Sequence, residues 1–351
     1  MIPLTTLQEL QALSFDTIID VRSPSEFAED HLPGAINLPV LSDAERAQVG
    51  TIYKQDSPFR ARKIGAALVF RNAAAHIETA LADREGGWRP LVYCWRGGQR
   101  SCAFAWMLRE IGWRAETIQG GYKSYRRLVV RALYDTPLDL RLVQLGGYTG
   151  TAKTELLPRL ARRGVQVLDL EGMARHRGSL LGDLDTPQPS QKAFESALTD
   201  ALAQLDPARP ALVEAESSKI GALSLPPSLW EAMIAAPWIT VMAPLGARAR
   251  YLARAYADVL ADADGLRAKL DGLRRHRGHA VVDRWNTLIA AGDHEALCAA
   301  LVADHYDPAY DKSARAHAPR ELDRLHSDSL SPDALDRLAD AVAARVQAIS
   351  I

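Results

Sequence analysis

Along the chain, apolar positions gather into short runs that alternate with stretches of helical periodicity. FDTIIDV at 15–21 reads as a short buried strand, and SPSEFAEDHLPGAINLP at 23–39 has the Pro/Gly/Asn texture of a loop carrying a short helix. LVYC at 91–94 predicts a second strand. SCAFAWMLREIGW at 101–113 places its apolar residues at helical spacing as far as Gly112, and RAETIQ at 114–119 predicts another strand. After Pro137 the pattern restarts with LRLVQL at 140–145, a glycine turn and a helix. VQVLDL (165–170), ALVEA (211–215) and WITVMA (238–243) extend the alternation to about residue 243, and a helical, Ala-, Leu- and Arg-rich pattern follows to the C-terminus. Strands alternating with helices predict α/β architecture, with parallel sheets covered on both faces. The expected division is a domain at 1–132, a linker at 133–138 and a second domain at 139–351.

Composition narrows what these domains do. A chain of 351 residues exceeds the roughly 100–200 expected of one domain. The formal net charge of -1 excludes a general attraction to polyanions or membranes, so any basic surface must be local. Cys94, Cys102 and Cys298 are too few and too unevenly spaced for a disulfide framework, and no Cys/His cluster suggests zinc. No targeting segment opens the chain and no run approaches the ~20 apolar residues of a membrane span, so a cytoplasmic location and no membrane partner are expected.

Cys94 stands where a strand ends, with VYCWRGGQRS at 92–101 leading into a helix. Gly97 and Gly98 permit the positive φ angles that turn successive amides inward, while Arg96 and Arg100 add charge. Such a nest at a helix N-terminus binds an anion and favours thiolate over thiol. Cys102 falls on an apolar helical stripe and Cys298 in an alanine-rich helix, and both read as core residues. The loop resembles a rhodanese active site, and DVRSPSEFAEDHLPGAINLP at 20–39 is similar to that family's N-terminal signature; together they span roughly residues 4–130. The resemblance makes Cys94 a sulfur or selenium carrier and gives Asp20 and Arg22 a bracing role. Five residues separate Cys94 from Arg100, a spacing also used by cysteine phosphatases, and the loop alone leaves both chemistries open.

QLGGYTGTAKTELLPRL at 144–160 sets a glycine turn between strand and helix, in the register G-x-x-x-x-G-K-[ST]. Gly147, Gly150, Lys153 and Thr154 are the candidate diphosphate ligands, and the Thr154 hydroxyl allows Mg²⁺. Ala152 replaces the second glycine of the pattern, putting a methyl where the phosphate chain normally runs closest. Asp169, Glu171, Glu214 and Glu216 fall at later strand ends, where open α/β sheets bind ligands, and are candidate metal-side carboxylates or helix caps. His176, Arg177 and Ser179 are candidates for lining a diphosphate or base pocket, and Lys219 for meeting phosphate. Two basic runs combine cations with tyrosines in the manner of RNA-binding surfaces: Tyr122, Lys123, Arg126 and Arg127 with Tyr125, and Arg248, Arg250 and Arg254 with Tyr251.

Taken whole, the chain resembles the tRNA 2-selenouridine synthase family, in which a rhodanese domain is fused to a P-loop domain. The likeness rests on VGTIYKQDSPFRARKIGAAL, LQGGYKSYRR, DLEGMARHRGS, PQPSQKAFES, VEAESSKIG and HYDPAYDKS as well as on both loops; Ala152 is its departure. It implies a tRNA partner whose wobble 2-thiouridine is first alkylated by geranyl diphosphate and then exchanged to 2-selenouridine with selenophosphate, supplied by a selenophosphate-producing enzyme. On that footing Cys94 serves the selenium step, Arg96, Gly97, Gly98 and Arg100 bind selenophosphate, and the P-loop binds prenyl diphosphate. The rival expectation is a nucleotide-dependent kinase or ATPase with an accessory rhodanese domain.

Overall fold

The computed structural model describes residues 1–215, 217–317 and 320–349, apart from the side chains of residues 11 and 313–317. The chain divides into two compact units: residues 1–136 with 189–204, and residues 137–188 with 205–351. The expected division was contiguous. It differs because the helix Gln191–Ala203 packs with the first unit, where Ser196 donates to the buried carboxylate of Asp30 at 3.0 Å and Glu195 accepts from Arg126 and from Tyr134.

In the first unit, strands β1 (Thr17–Asp20), β2 (Ala35–Asn37), β3 (Pro90–Tyr93) and β4 (Glu116–Thr117) form a parallel sheet in the order β2-β1-β3-β4. Every β3 residue is buried, as an apolar run in the centre of a parallel sheet requires. Helix Gln99–Ile111 follows β3 directly and ends at Gly112, whose φ of 107° closes the helix in the left-handed region. Helices Asp43–Gln55 and Pro58–Glu78 pair with each other between β2 and β3. Ile19, Val92, Phe104 and Leu108 lie in the core between sheet and helices.

In the second unit, β5 (Leu142–Gly146), β6 (Gln166–Leu168), β7 (Ala211–Glu214), β8 (Lys219–Ile220), β9 (Leu223–Ser224), β10 (Trp238–Met242) and β11 (Glu321–His326) follow in sequence. Five of them make a sheet ordered β11-β10-β5-β7-β6 with parallel pairings, while β8 and β9 form a small antiparallel pair. Parallel pairing brings the ends of β5, β6 and β7 to one edge, so the glycine turn, Asp169 and Glu214 share that edge. Helices Lys153–Arg162 and Pro332–Gln347 bury Leu156, Leu160, Leu338 and Val342 against the sheet. A helical part beginning at Leu245 carries its own core around Trp285.

β11 overturns the expectation of helix alone after residue 243. ELDRLH is an edge strand: β10 satisfies one side, Glu321 and Arg324 pair with each other at the surface and half-buried Asp323 pairs with Arg345, so no apolar run marks it.

Candidate active site

In the first unit the site is built on the end of β3. Cys94 is 4% exposed and belongs to the core on one side, while its sulfur accepts from the Ser101 hydroxyl at 3.2 Å. Ser101 is held there because it opens the first turn of the 99–111 helix. The amides of residues 95–101 donate to no protein acceptor among the described residues, the condition for an anion-binding nest at a helix N-terminus.

The loop keeps its shape by close backbone contact with the start of helix Gly121–Val130. Tyr122 N–H donates to Cys94 O at 2.9 Å and Lys123 N–H to Trp95 O at 3.0 Å. Gly97 takes φ 63°, and a Cβ there would lie 2.5 Å from Ile118 O, so both conformation and space demand glycine. Beneath this contact Arg22 is fully buried, forked onto Asp20 at 2.6–3.0 Å, with its guanidinium 4.0 Å from the Tyr122 ring centroid. Asp20 and Arg22 therefore brace the helix on which the loop leans.

The two loop arginines differ in their partners. Arg100 is forked onto Glu26 at 2.8 and 3.4 Å, and Glu26 also pairs with Arg46 at 3.1 Å. Its guanidinium is thus committed to helix Pro24–Glu29, which corrects the expectation that it binds the anion as a free cation. Arg96 is exposed, with no ion pair among the described residues. Glu26 was missed in sequence because nothing local reveals a partner 74 residues away. Neighbouring cations hold its carboxyl below the usual range despite burial.

The basic run around Tyr122 also needs correction. Tyr122 and Tyr125 are buried, and Tyr122 donates to Asp30 at 2.7 Å, so neither ring is available to stack on a base. Arg126 is tied to Glu195. Lys123 and Arg127 remain exposed.

In the second unit, the turn after β5 wraps toward the helix Lys153–Arg162. Lys153 Nζ donates to Gly147 O at 2.9 Å, which curls the loop around its own lysine. Gly147 adopts φ 141°, and a Cβ there would meet Val241 O at 2.5 Å; Gly150 (φ 84°) packs against Leu252 in the same tight way. Thr154 Oγ1 contacts Glu171 at 2.8 Å and Glu214 at 3.0 Å. Glu214 is buried, and its Oε2 has no hydrogen-bond partner among the described residues. Burial first, then the charge of Glu171, raises its carboxyl to about 8. An acid that stays protonated near neutral pH explains how one hydroxyl sits between two carboxyl groups: the Thr154 proton serves one and Glu214 supplies the other.

Ala152 takes φ 61°, the backbone region that glycine favours, but its methyl lies in the core with Val143, Leu145 and Leu156. The expected clash with a phosphate chain is corrected: the cost of alanine is backbone strain, about 1–2 kcal/mol, offset by burial of a methyl worth about 0.8 kcal/mol. Ala152→Gly should therefore shift thermal unfolding by only a few degrees and leave diphosphate affinity, measured by calorimetry, within about threefold of the parent.

Other expected residues have structural duties. Asp169 caps the helix Leu170–Ala174, accepting from Gly172 N–H at 2.7 Å. His176 is buried and accepts from Gly178 N–H at 3.1 Å; Arg177 pairs with Asp258 and lies over Tyr256, which also meets Ser179. This segment is thereby knitted to helix Ala257–Ala261 and its preceding residue rather than left to line a pocket. Arg248, expected at RNA, is buried and bidentate on Asp307 at 2.8–2.9 Å, stacked on Tyr148. Arg254 pairs with Glu155, Arg250 and Lys219 are exposed, and Glu216 lies outside the described residues. Tyr310 was missed: its hydroxyl accepts from Gly147 N–H at 2.9 Å, and with Asp307 it fastens the glycine turn to helix Asp307–His317.

Among the described residues no group of three or more His, Cys, Asp or Glu side chains is arranged to hold a metal ion, and no helix is long and apolar enough to cross a membrane. Residues 5–128 match a rhodanese-like domain, and residues 140–332 match the tRNA 2-selenouridine synthase AAA domain. A tRNA 2-selenouridine synthase of Hahella chejuensis is 34% identical over 88% of this chain and 88% of its own length. One from Chromohalobacter salexigens is 36% identical over 84% and 86%. With both halves matched in order, and each carrying the loop just described, the chain belongs to the tRNA 2-selenouridine synthase family of tRNA-modifying enzymes.

Proposed function

We propose that the protein carries out two displacements on a wobble 2-thiouridine of tRNA, one chemistry for each unit. In the first, the base sulfur attacks C1 of geranyl diphosphate; the C–S bond forms, the C–O bond breaks and diphosphate leaves. Gly147, Gly150, Lys153 and Thr154 bind that diphosphate through amides and charge. The Glu214 oxygen that has no partner among the described residues suits a divalent cation, and Glu214 with Thr154 would hold Mg²⁺, which offsets leaving-group charge when bound. In the second displacement, selenium from selenophosphate replaces sulfur at C2. Sulfur departs as geranylthiol and water takes the phosphoryl group as phosphate, so the C–S bond is exchanged for C–Se without an external oxidant.

The observation that carries this reading is the Cys94 loop. A thiol at a helix N-terminus, beside amides with no protein acceptor among the described residues, suits a tetrahedral selenophosphate anion, with Cys94 acting on the selenium and Arg96 closing from solvent. The test is mass spectrometry of nucleosides from thiolated tRNA incubated with the protein, geranyl diphosphate and selenophosphate. S-geranyl-2-thiouridine should form without selenophosphate and 2-selenouridine only with both. If neither product forms while ATP is hydrolysed, the kinase-like alternative replaces this reading.

A further inference from the structure

We infer that the cleft between helices Asp43–Gln55, Pro58–Glu78 and Gln99–Ile111 holds the single-stranded anticodon segment of the tRNA while its target base is offered to the Cys94 loop. This rests on tRNA being the substrate. The cleft encloses about 1130 Å³, more than a drug-sized ligand needs. Its apolar side presents Val49, Tyr53, Phe59 and Phe70. Phe59 is 74% and Tyr53 55% exposed, and helix Asp43–Gln55 buries none of its residues. Aromatic rings left this open on a paired helix are positioned for a partner with flat faces of its own.

Charge identifies that partner as an anion. Arg46, Lys54, Arg62, Lys63 and Arg100 line the cleft, and no Asp or Glu among the described residues does. Glu26 occupies Arg46 and Arg100, but Lys54, Arg62 and Lys63 enter no ion pair among the described residues. In a protein of net charge -1 this is a local concentration of cations, interleaved with rings at the spacing of neighbouring helical turns. Unstacked bases on aromatic faces, with phosphates on flanking lysines and arginines, match both halves of the lining, which a duplex with its bases stacked inside does not. Position agrees. The cleft reaches Gln99 and Arg100, the first residues of the helix that Cys94 and its loop introduce, so a strand lying in it brings one splayed nucleotide to the thiol.

The experiment uses the full chain and an unmodified tRNA transcript, without geranyl diphosphate or selenophosphate. Binding is measured by fluorescence anisotropy across a salt series. Substituting Lys54→Gln, Arg62→Gln and Lys63→Gln together should weaken binding at least about tenfold at 0.1 M salt and flatten the log–log salt slope by about 2, three single-strand phosphate contacts at roughly 0.7 each. Tyr53→Ala with Phe59→Ala should weaken binding about tenfold or more while leaving the salt slope unchanged. All five side chains are exposed, so both variants should fold, with parental circular dichroism as the check. Parental tRNA affinity in both variants overturns the inference, including the case in which they instead lose binding to an acidic protein partner. A protein that binds tRNA through the cleft but makes no 2-selenouridine supports this inference and refutes the proposed chemistry. One that makes 2-selenouridine at parental KM with the cleft neutralised does the reverse.

Discussion

Cys94→Ala should stop selenium incorporation, lowering it by a factor of at least ~10³, while the base is still alkylated at the parental rate. The two outcomes separate because Cys94 opens the 94–98 loop of the first unit, whereas the diphosphate ligands proposed for alkylation belong to the β5 turn of the second and the start of the helix after it. Alanine keeps the packing toward Val92 and Phe104 and removes the sulfur with its two polar contacts, one from the Ser101 hydroxyl at 3.2 Å and one to Gly98 O at 4.0 Å, so folding is not at stake. Single-turnover assays quantifying both nucleosides are the measurement. The accompanying control is Cys298→Ala, which should leave both steps unchanged, because burial pushes that thiol up to about 11 and keeps it protonated. Equal loss of alkylation and selenation in folded Cys94→Ala would end the division of labour between the units.

What the sequence disclosed and what it withheld follow from the range of the interactions involved. The Cys94 loop and the glycine turn were legible because their working parts are consecutive residues: a strand end, a glycine at positive φ (Gly97; Gly147 and Gly150) and a helix start within about ten positions, although Gly98, expected to share that conformation, takes φ -104° as the helix cap. Arg100 was misread because its fate is decided by Glu26, far away in sequence. Tyr122 looked like a stacking ring beside lysine and arginine, yet helical geometry turns it inward onto Arg22 and Asp30 while Lys123 turns outward. Arg248 was similarly claimed by Asp307. In each case charge was visible but the partner was not. The same reasoning gives weight to Lys54, Arg62 and Lys63, which enter no ion pair among the described residues, Arg62 donating only to the Pro58 carbonyl of its own helix.

Glu214→Gln should abolish most alkylation and at the same time make the protein more stable in alkaline buffer. The folded protein raises this carboxyl to about 8, against an ordinary value of 4.5, through burial first and then the neighbouring Glu171 charge, with Asp169 adding to it and Lys153 and Thr154 opposing. A raised folded-state value means that the native protein keeps a proton that the unfolded chain releases. The stability associated with it is therefore complete below about pH 4.5 and is lost as pH climbs to about 8, by a few kcal/mol and roughly 5 at most. Glutamine cannot ionise, so the advantage of Glu214→Gln in thermal unfolding should be small at pH 5 and grow to roughly 5–10 °C by pH 8.5. Mg²⁺ with diphosphate should stabilise the parent at pH 8, because only ionised Glu214 suits a cation, and should do far less for the variant, whose alkylation rate should fall at least ~10²-fold. If Glu214→Gln instead follows the parental dependence of Tm on pH, Glu214 does not titrate in this range, and the protonated acid beside Thr154 is not what holds the two carboxyl groups together.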